Sequence, residues 1–124
     1  MTKESAWVCV LITIALTVYG QFVVKWQMLQ AGVVPTGTPD RIGYIARLLL
    51  NPWILSAFAA AFLAALAWML AMTRLPLSQA YPLTALVFIF VVLGGAWIFV
   101  EPLNAWRIAG VVLVVLGLVV GSRG

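Results

Sequence analysis

The sequence predicts an all-helical membrane protein with four transmembrane helices, and three observations carry that prediction. Of 124 residues, 65% are hydrophobic and 8% charged, whereas a soluble domain carries roughly a quarter charged residues. Four apolar stretches, 5–29, 53–73, 77–100 and 105–122, match the ~20 residues that cross a bilayer as a helix. The breaks between them are short and marked by Gly, Pro or charge, which leaves no room for a separate soluble domain. Residues 1–124 therefore read as a single transmembrane domain.

The first span, 5–29, begins after Lys3 and Glu4 and could be mistaken for a signal peptide. No small-residue cleavage pattern follows at Val18-Tyr19-Gly20-Gln21, and three further apolar segments lie downstream, so it is expected to be retained. Trp7 and Trp26 suit the two interfaces. Thr13, Thr17, Gln21 and Lys25 recur every fourth residue. That spacing drifts only about 40° per step around a helix, so the four share one face. Polar groups cost free energy in lipid, and such a stripe should face protein or a water-filled cavity.

A polar connection containing Gly and Pro follows, and Asp40 is expected to cap a short amphipathic helix over 41–50, with Arg41 and Arg47 off its apolar face. Asn51-Pro52 ends it, since proline lacks the amide hydrogen and restricts the residue before it. The second span, 53–73, is rich in alanine, which lets neighbouring helices approach closely. Arg74-Leu75-Pro76 turns the chain into the third span, 77–100. Pro82, Gly94 and Gly95 are its candidate hinge residues. Glu101-Pro102 closes that span, and Asn104 or a neighbour starts the fourth, 105–122. Gly110 and Gly117 stand two turns apart on one face of the fourth span, with Gly121 a turn beyond, and form a stripe for close helix packing, within the chain or between subunits.

The charge inventory excludes several chemistries. Seven Lys/Arg against three acids give a formal charge of +4, too scattered for nucleic-acid binding and suited to anchoring at the membrane surface. There is no histidine, and Cys9 is the only cysteine, so no metal site, cofactor or intrachain disulfide is expected. No nucleophile–base constellation exists, so the chain is not expected to be an enzyme. Lys3, Arg74 and Arg123 fall on one membrane side, with Lys25, Arg41, Arg47 and Arg107 on the other. That near balance does not enforce one orientation, and it is compatible with antiparallel pairing of two chains.

Glu4, Asp40 and Glu101 all lie at or beyond span ends, which disfavours proton-coupled export of cations through a buried carboxylate. Lys25, near the end of its span, either snorkels to the headgroups or binds an anion such as a lipid phosphate with Gln21 beside it. Arg41 and Arg47 could add to such a site or simply anchor the interfacial helix. Glu101 lies on the side of Lys25 and either pairs with Lys25 or Arg107 or engages a positive or hydroxyl-rich group beside the phosphate. Tyr81 and Thr84 offer hydroxyls near the Pro82 bend, for packing or for substrate. Trp53, Trp68, Trp97 and Trp106 read as interface or packing residues.

Gly20-Gln21 with Lys25, the run Leu75-Pro76-Leu77-Ser78-Gln79-Ala80-Tyr81-Pro82 and the pair Glu101-Pro102 resemble the drug/metabolite transporter superfamily. Within it the four-span layout is similar to the small multidrug resistance fold and to EamA-type four-span proteins, and most of all to the flippase subunits for undecaprenyl phosphate–aminoarabinose. The resemblance covers nearly the whole chain. It implies a small multidrug resistance-like fold working as an antiparallel dimer, with Gly110 and Gly117 at the dimer packing. One departure stands out. Multidrug exporters of this fold carry an essential glutamate three residues before the glycine aligned with Gly20, and Thr17 occupies that position here.

The resemblance implies a transporter of the bacterial inner membrane that flips a polyisoprenyl-phosphate-linked sugar, pairing with an identical or similar four-helix subunit. Lys25, Gln21, Thr17, Tyr81, Glu101 and Arg47 are its candidate substrate-binding residues. Two alternatives stay open at this stage: efflux of small cations or metabolites through Glu101, and an accessory role beside a membrane glycolipid enzyme.

Overall fold

A computed structural model describes residues 2–124, and every element in it is helical. In chain order these are α1 (Lys3–Ala31), α2 (Thr38–Leu49), α3 (Pro52–Ala71), a single turn α4 (Leu77–Ala80), a 3-10 segment (Tyr81–Ala85), α5 (Leu86–Ile98) and α6 (Ala105–Gly121). Three helical stretches, Lys3–Ala31, Pro52–Ala71 and Leu77–Ile98, are long and apolar enough to cross a membrane, and Ala105–Gly121 is a shorter apolar helix.

The helix boundaries follow from local chemistry. Thr2 caps α1 by accepting a hydrogen bond from the Ser5 amide at 3.1 Å. Asn51 caps α3 through the Trp53 amide at 2.8 Å, and Asn104 caps α6 through the Arg107 amide at 2.9 Å. The amphipathic helix begins earlier than the expected 41–50. Gly37 is its N-cap, and Pro39 lies inside the first turn, where a missing amide hydrogen costs nothing. Asp40 is therefore not the cap; it is the acid of the first turn, favourably placed for the helix dipole. Tyr44, the one buried residue of α2, donates to Gly32 O at 3.2 Å and ties α2 to the end of α1. Ile42, Ile45 and Leu49 stay exposed on α2.

Pro82 interrupts the third membrane-length stretch. Without an amide hydrogen it cannot continue the α-helical ladder, and the chain tightens to 3-10 geometry over Tyr81–Ala85 before α5 resumes. Gly94 and Gly95, by contrast, lie inside an unbroken helix. A Cβ on Gly94 would collide with the Phe22 ring of α1, and one on Gly95 would sit 3.0 Å from Glu101 Oε2. Both glycines thus serve close approach. The stretch ends at Ile98, short of residue 100, because Val100 turns left-handed at φ 52° and Glu101 N donates back to Gly95 O at 3.3 Å.

The pairing of α1 with α3 is the most extensive helix contact, and α5 packs on another side of α1. Ile54, Ala57, Ala60, Ala64 and Ala71 are buried along α3, and the four alanines let the two backbones come together. A compact core of Ala6, Val10, Ile14, Ala71, Leu75 and Ala80 closes the end of the bundle nearest the chain termini. The α6 helix touches only α5 and the 3-10 segment substantially, buries no residue of its own, and leaves Trp106, Leu113 and Val120 exposed.

Candidate functional site

An open groove of about 540 Å³ runs along the α1–α3 seam and is flanked by the 3-10 segment. From α1 it takes Thr13, Leu16, Thr17, Gly20, Gln21 and Val24. From Thr13 to Val24 that is roughly 16 Å of helix at 1.5 Å per residue. Ala57, Phe58, Ala61, Ala64, Ala65 and Trp68 of α3 form the opposite wall, and Tyr81 and Thr84 close one end. The lining is mostly apolar and holds no charged side chain.

The polar stripe divides along its length. Thr13, Thr17 and Gln21 all line the groove, whereas Lys25 leaves that lining and leans toward the end of α5. There its Nζ lies 3.6 Å from Glu101 Oε1, with both side chains near half exposure. Of the two partners the sequence offered Glu101, the structure thus selects Lys25. Arg107 instead donates from Nη1 to Pro102 O at 2.7 Å. At the other end of the groove Tyr81 meets Trp68 edge-on, ring centroids 6.2 Å apart.

Two sequence-predicted site residues stand far apart. The Glu101 carboxylate lies level with Gly95, roughly 20 Å along the helix axis from Tyr81. One sugar cannot touch both at once. Arg47 lies exposed on α2 and does not line the groove. Arg41 is used locally, donating from Nε to Pro35 O at 2.9 Å. Gly110 and Gly117 are open: a Cβ on either meets nothing within 4 Å.

Sequence reasoning missed the α3 wall. Trp68, which reads from the sequence as an interface or packing residue, and Phe58, which carries no signal there, both line the groove. Their signal is the spacing Ala57, Ala61, Ala64, Ala65, Trp68, one helical face of small residues ending in a large aromatic. In an apolar span that face is not distinguishable from ordinary helix packing until its partner is known.

These features define an all-helical, multi-pass membrane protein with an uncharged groove open between its helices. Comparison with known proteins specifies it further. The chain is 38% identical over 81 residues, 65% of its length and 70% of the relative's, to a protein of Pseudomonas aeruginosa (strain UCBPP-PA14) named probable 4-amino-4-deoxy-L-arabinose-phosphoundecaprenol flippase subunit ArnE. An ArnE of the same description from Pseudomonas savastanoi pv. phaseolicola is 27% identical over 112 residues, 90% of this chain and 92% of the relative. A probable flippase subunit ArnF from Erwinia tasmaniensis is 32% identical over 109 residues, 86% and 85% of the two chains. The chain belongs to this family of aminoarabinose-phosphoundecaprenol flippase subunits. No protein-family model and no solved structure matches it.

Proposed function

We propose that this chain is one subunit of a dimeric flippase that moves a polyisoprenyl phosphate bearing an amino sugar across the bacterial inner membrane. Its relatives are named as subunits, ArnE and ArnF, for a lipid of that kind. The observation that carries the reading is the position of Lys25, a half-exposed cation one turn beyond Gln21 and just past the Val24 end of an uncharged groove. A lipid phosphate displaces the Glu101 carboxylate from Lys25 and is held by the ammonium, with Gln21 donating from its amide. Glu101, released, pairs with Arg107. The polyisoprenyl tail stays in the bilayer, so only the headgroup crosses the apolar layer.

In this reading α6 is the fourth span, and its open Gly110/Gly117 face packs against a second subunit, identical or similar, in antiparallel orientation. Pro82, at the 3-10 interruption, is the hinge on which the third span bends between the two accessible states. Arg47 gathers anionic lipid at the surface of α2.

Proteoliposomes containing the chain and its partner subunit test this. Lys25→Ala is expected to abolish binding and flipping of the phosphate lipid while leaving the fold intact. Undiminished binding and flipping in that variant would remove the phosphate role of Lys25.

A further inference from the structure

Three threonines line the groove, and each has already committed its hydroxyl hydrogen to the backbone. Thr13 Oγ1 donates to Cys9 O at 2.9 Å and lies 3.2 Å from Ala64 O across the helix seam. Thr17 Oγ1 donates to Thr13 O at 2.7 Å, and Thr84 Oγ1 to Tyr81 O at 2.6 Å. A hydroxyl has one hydrogen and two acceptor lone pairs. What these residues have left for a ligand is therefore acceptor capacity alone. The side-chain donors of the lining are the Gln21 amide and the Tyr81 hydroxyl, groups that also accept, and the Trp68 indole N–H, and no Lys or Arg lines it.

That inventory discriminates between the two ends of an amino-sugar phosphate. A phosphate is rich in acceptors and carries charge, so inside this groove it would face lone pairs in a medium of low dielectric, which is costly. An ammonium and a sugar's hydroxyls bring the hydrogens that the threonine oxygens lack.

We infer that the α1–α3 groove is the passage for the hydrogen-donating part of the cargo, the amine and hydroxyls of the sugar, with Thr13, Thr17 and Thr84 as its acceptors, while the phosphate stays at the Gln21–Lys25 end. This rests on the flippase reading above and assigns the two ends of the lipid to different surfaces. It also gives Thr17 a role of its own, as an uncharged acceptor within the membrane.

The test uses two probes, undecaprenyl phosphate and undecaprenyl phosphate carrying 4-amino-4-deoxy-arabinose, titrated against the chain and its partner subunit in nanodiscs. Thr17→Val with Thr84→Val keeps side-chain volume and leaves the Thr13–Ala64 contact between helices untouched. That double variant should bind the amino-sugar lipid roughly tenfold more weakly, about what one or two lost hydrogen bonds produce, and bind the bare phosphate lipid as before. Thr17→Ser with Thr84→Ser should retain wild-type affinity for both. Equal weakening for the two lipids, or no change for either, overturns the groove assignment. Failure of the unmodified complex to bind both lipids would instead overturn the flippase reading itself.

Discussion

Asn51 holds the start of α3 against the end of α1 with one amide group. Its Oδ1 accepts from the Trp53 amide at 2.8 Å as the helix cap, and its Nδ2 donates to Gln27 Oε1 at 2.9 Å. Gln27 is only 5% exposed, the one buried polar side chain among the described residues. Trp26 and Trp53 meet edge-on beside this pair, with centroids 5.2 Å apart. The junction of α1 with α3, beyond the Val24 end of the groove, is thus fixed by a polar clasp flanked by aromatic packing.

Replacing Asn51 by alanine removes a cap and strands the Gln27 amide. The two effects together are expected to cost about 2–4 kcal/mol of stability. In a Gln27→Leu background the same replacement should cost only the cap, about 1 kcal/mol. Unfolding in detergent, read as a double-mutant cycle, checks this; equal costs in the two backgrounds would dissolve the clasp.

The Lys25–Glu101 pair should matter little for folding. Both side chains are near half exposed, 49% and 41%, and pairs of that kind contribute about 0–1 kcal/mol. Lys25→Ala and Glu101→Gln are therefore expected to unfold within about 1 kcal/mol of the parent, and Lys25→Ala nonetheless to lose lipid binding. A melting temperature that falls together with binding would mark the pair as structural.

Val100 is a β-branched residue in a conformation that favours glycine, at φ 52°. Such strain costs about 1–2 kcal/mol, partly offset in a glycine variant by the greater freedom of its unfolded chain. Val100→Gly should therefore stabilise the protein, by up to about 1 kcal/mol. A denaturant midpoint that falls would show that Val100 makes contacts worth more than its strain.

Gly94→Ala should act through Phe22. The added methyl occupies the position of the Phe22 ring, and overpacking of this kind typically costs about 1–3 kcal/mol. A second substitution, Phe22→Leu, should recover much of that loss by clearing the space. If the pair is no more stable than Gly94→Ala alone, the clash is not the cause.

Much of this architecture was legible in the sequence because it rests on local chemistry. Asn51-Pro52 marks the start of α3, and Asn104 caps α6, as side chains that accept from helix amides do wherever they occur. The four-residue spacing put Thr13, Thr17 and Gln21 on one face, and they do share one groove. The departure of Lys25 from that lining was not legible, since it depends on where α5 ends and delivers Glu101. Asp40 suits a cap by residue type, but Pro39 fits a first helical turn and the helix starts before it. The α3 wall and the committed threonine hydrogens were also hidden. Both depend on rotamers and on the register between helices, which alanine-rich spans do not encode in their residue types.

Membrane voltage finds little to act on in this groove. A full elementary charge carried across the bilayer exchanges about 2.3 kcal/mol per 100 mV. The lining carries no charge, and at its end Lys25 and Glu101 cancel. A cargo bearing one phosphate charge and one ammonium is itself close to neutral. Net transfer of the proposed lipid, phosphate and ammonium together, would therefore be electrically silent, so flipping rates in proteoliposomes should not change when a potassium diffusion potential is imposed. A rate that tracks the potential would mean that a net charge travels with the cargo or the protein.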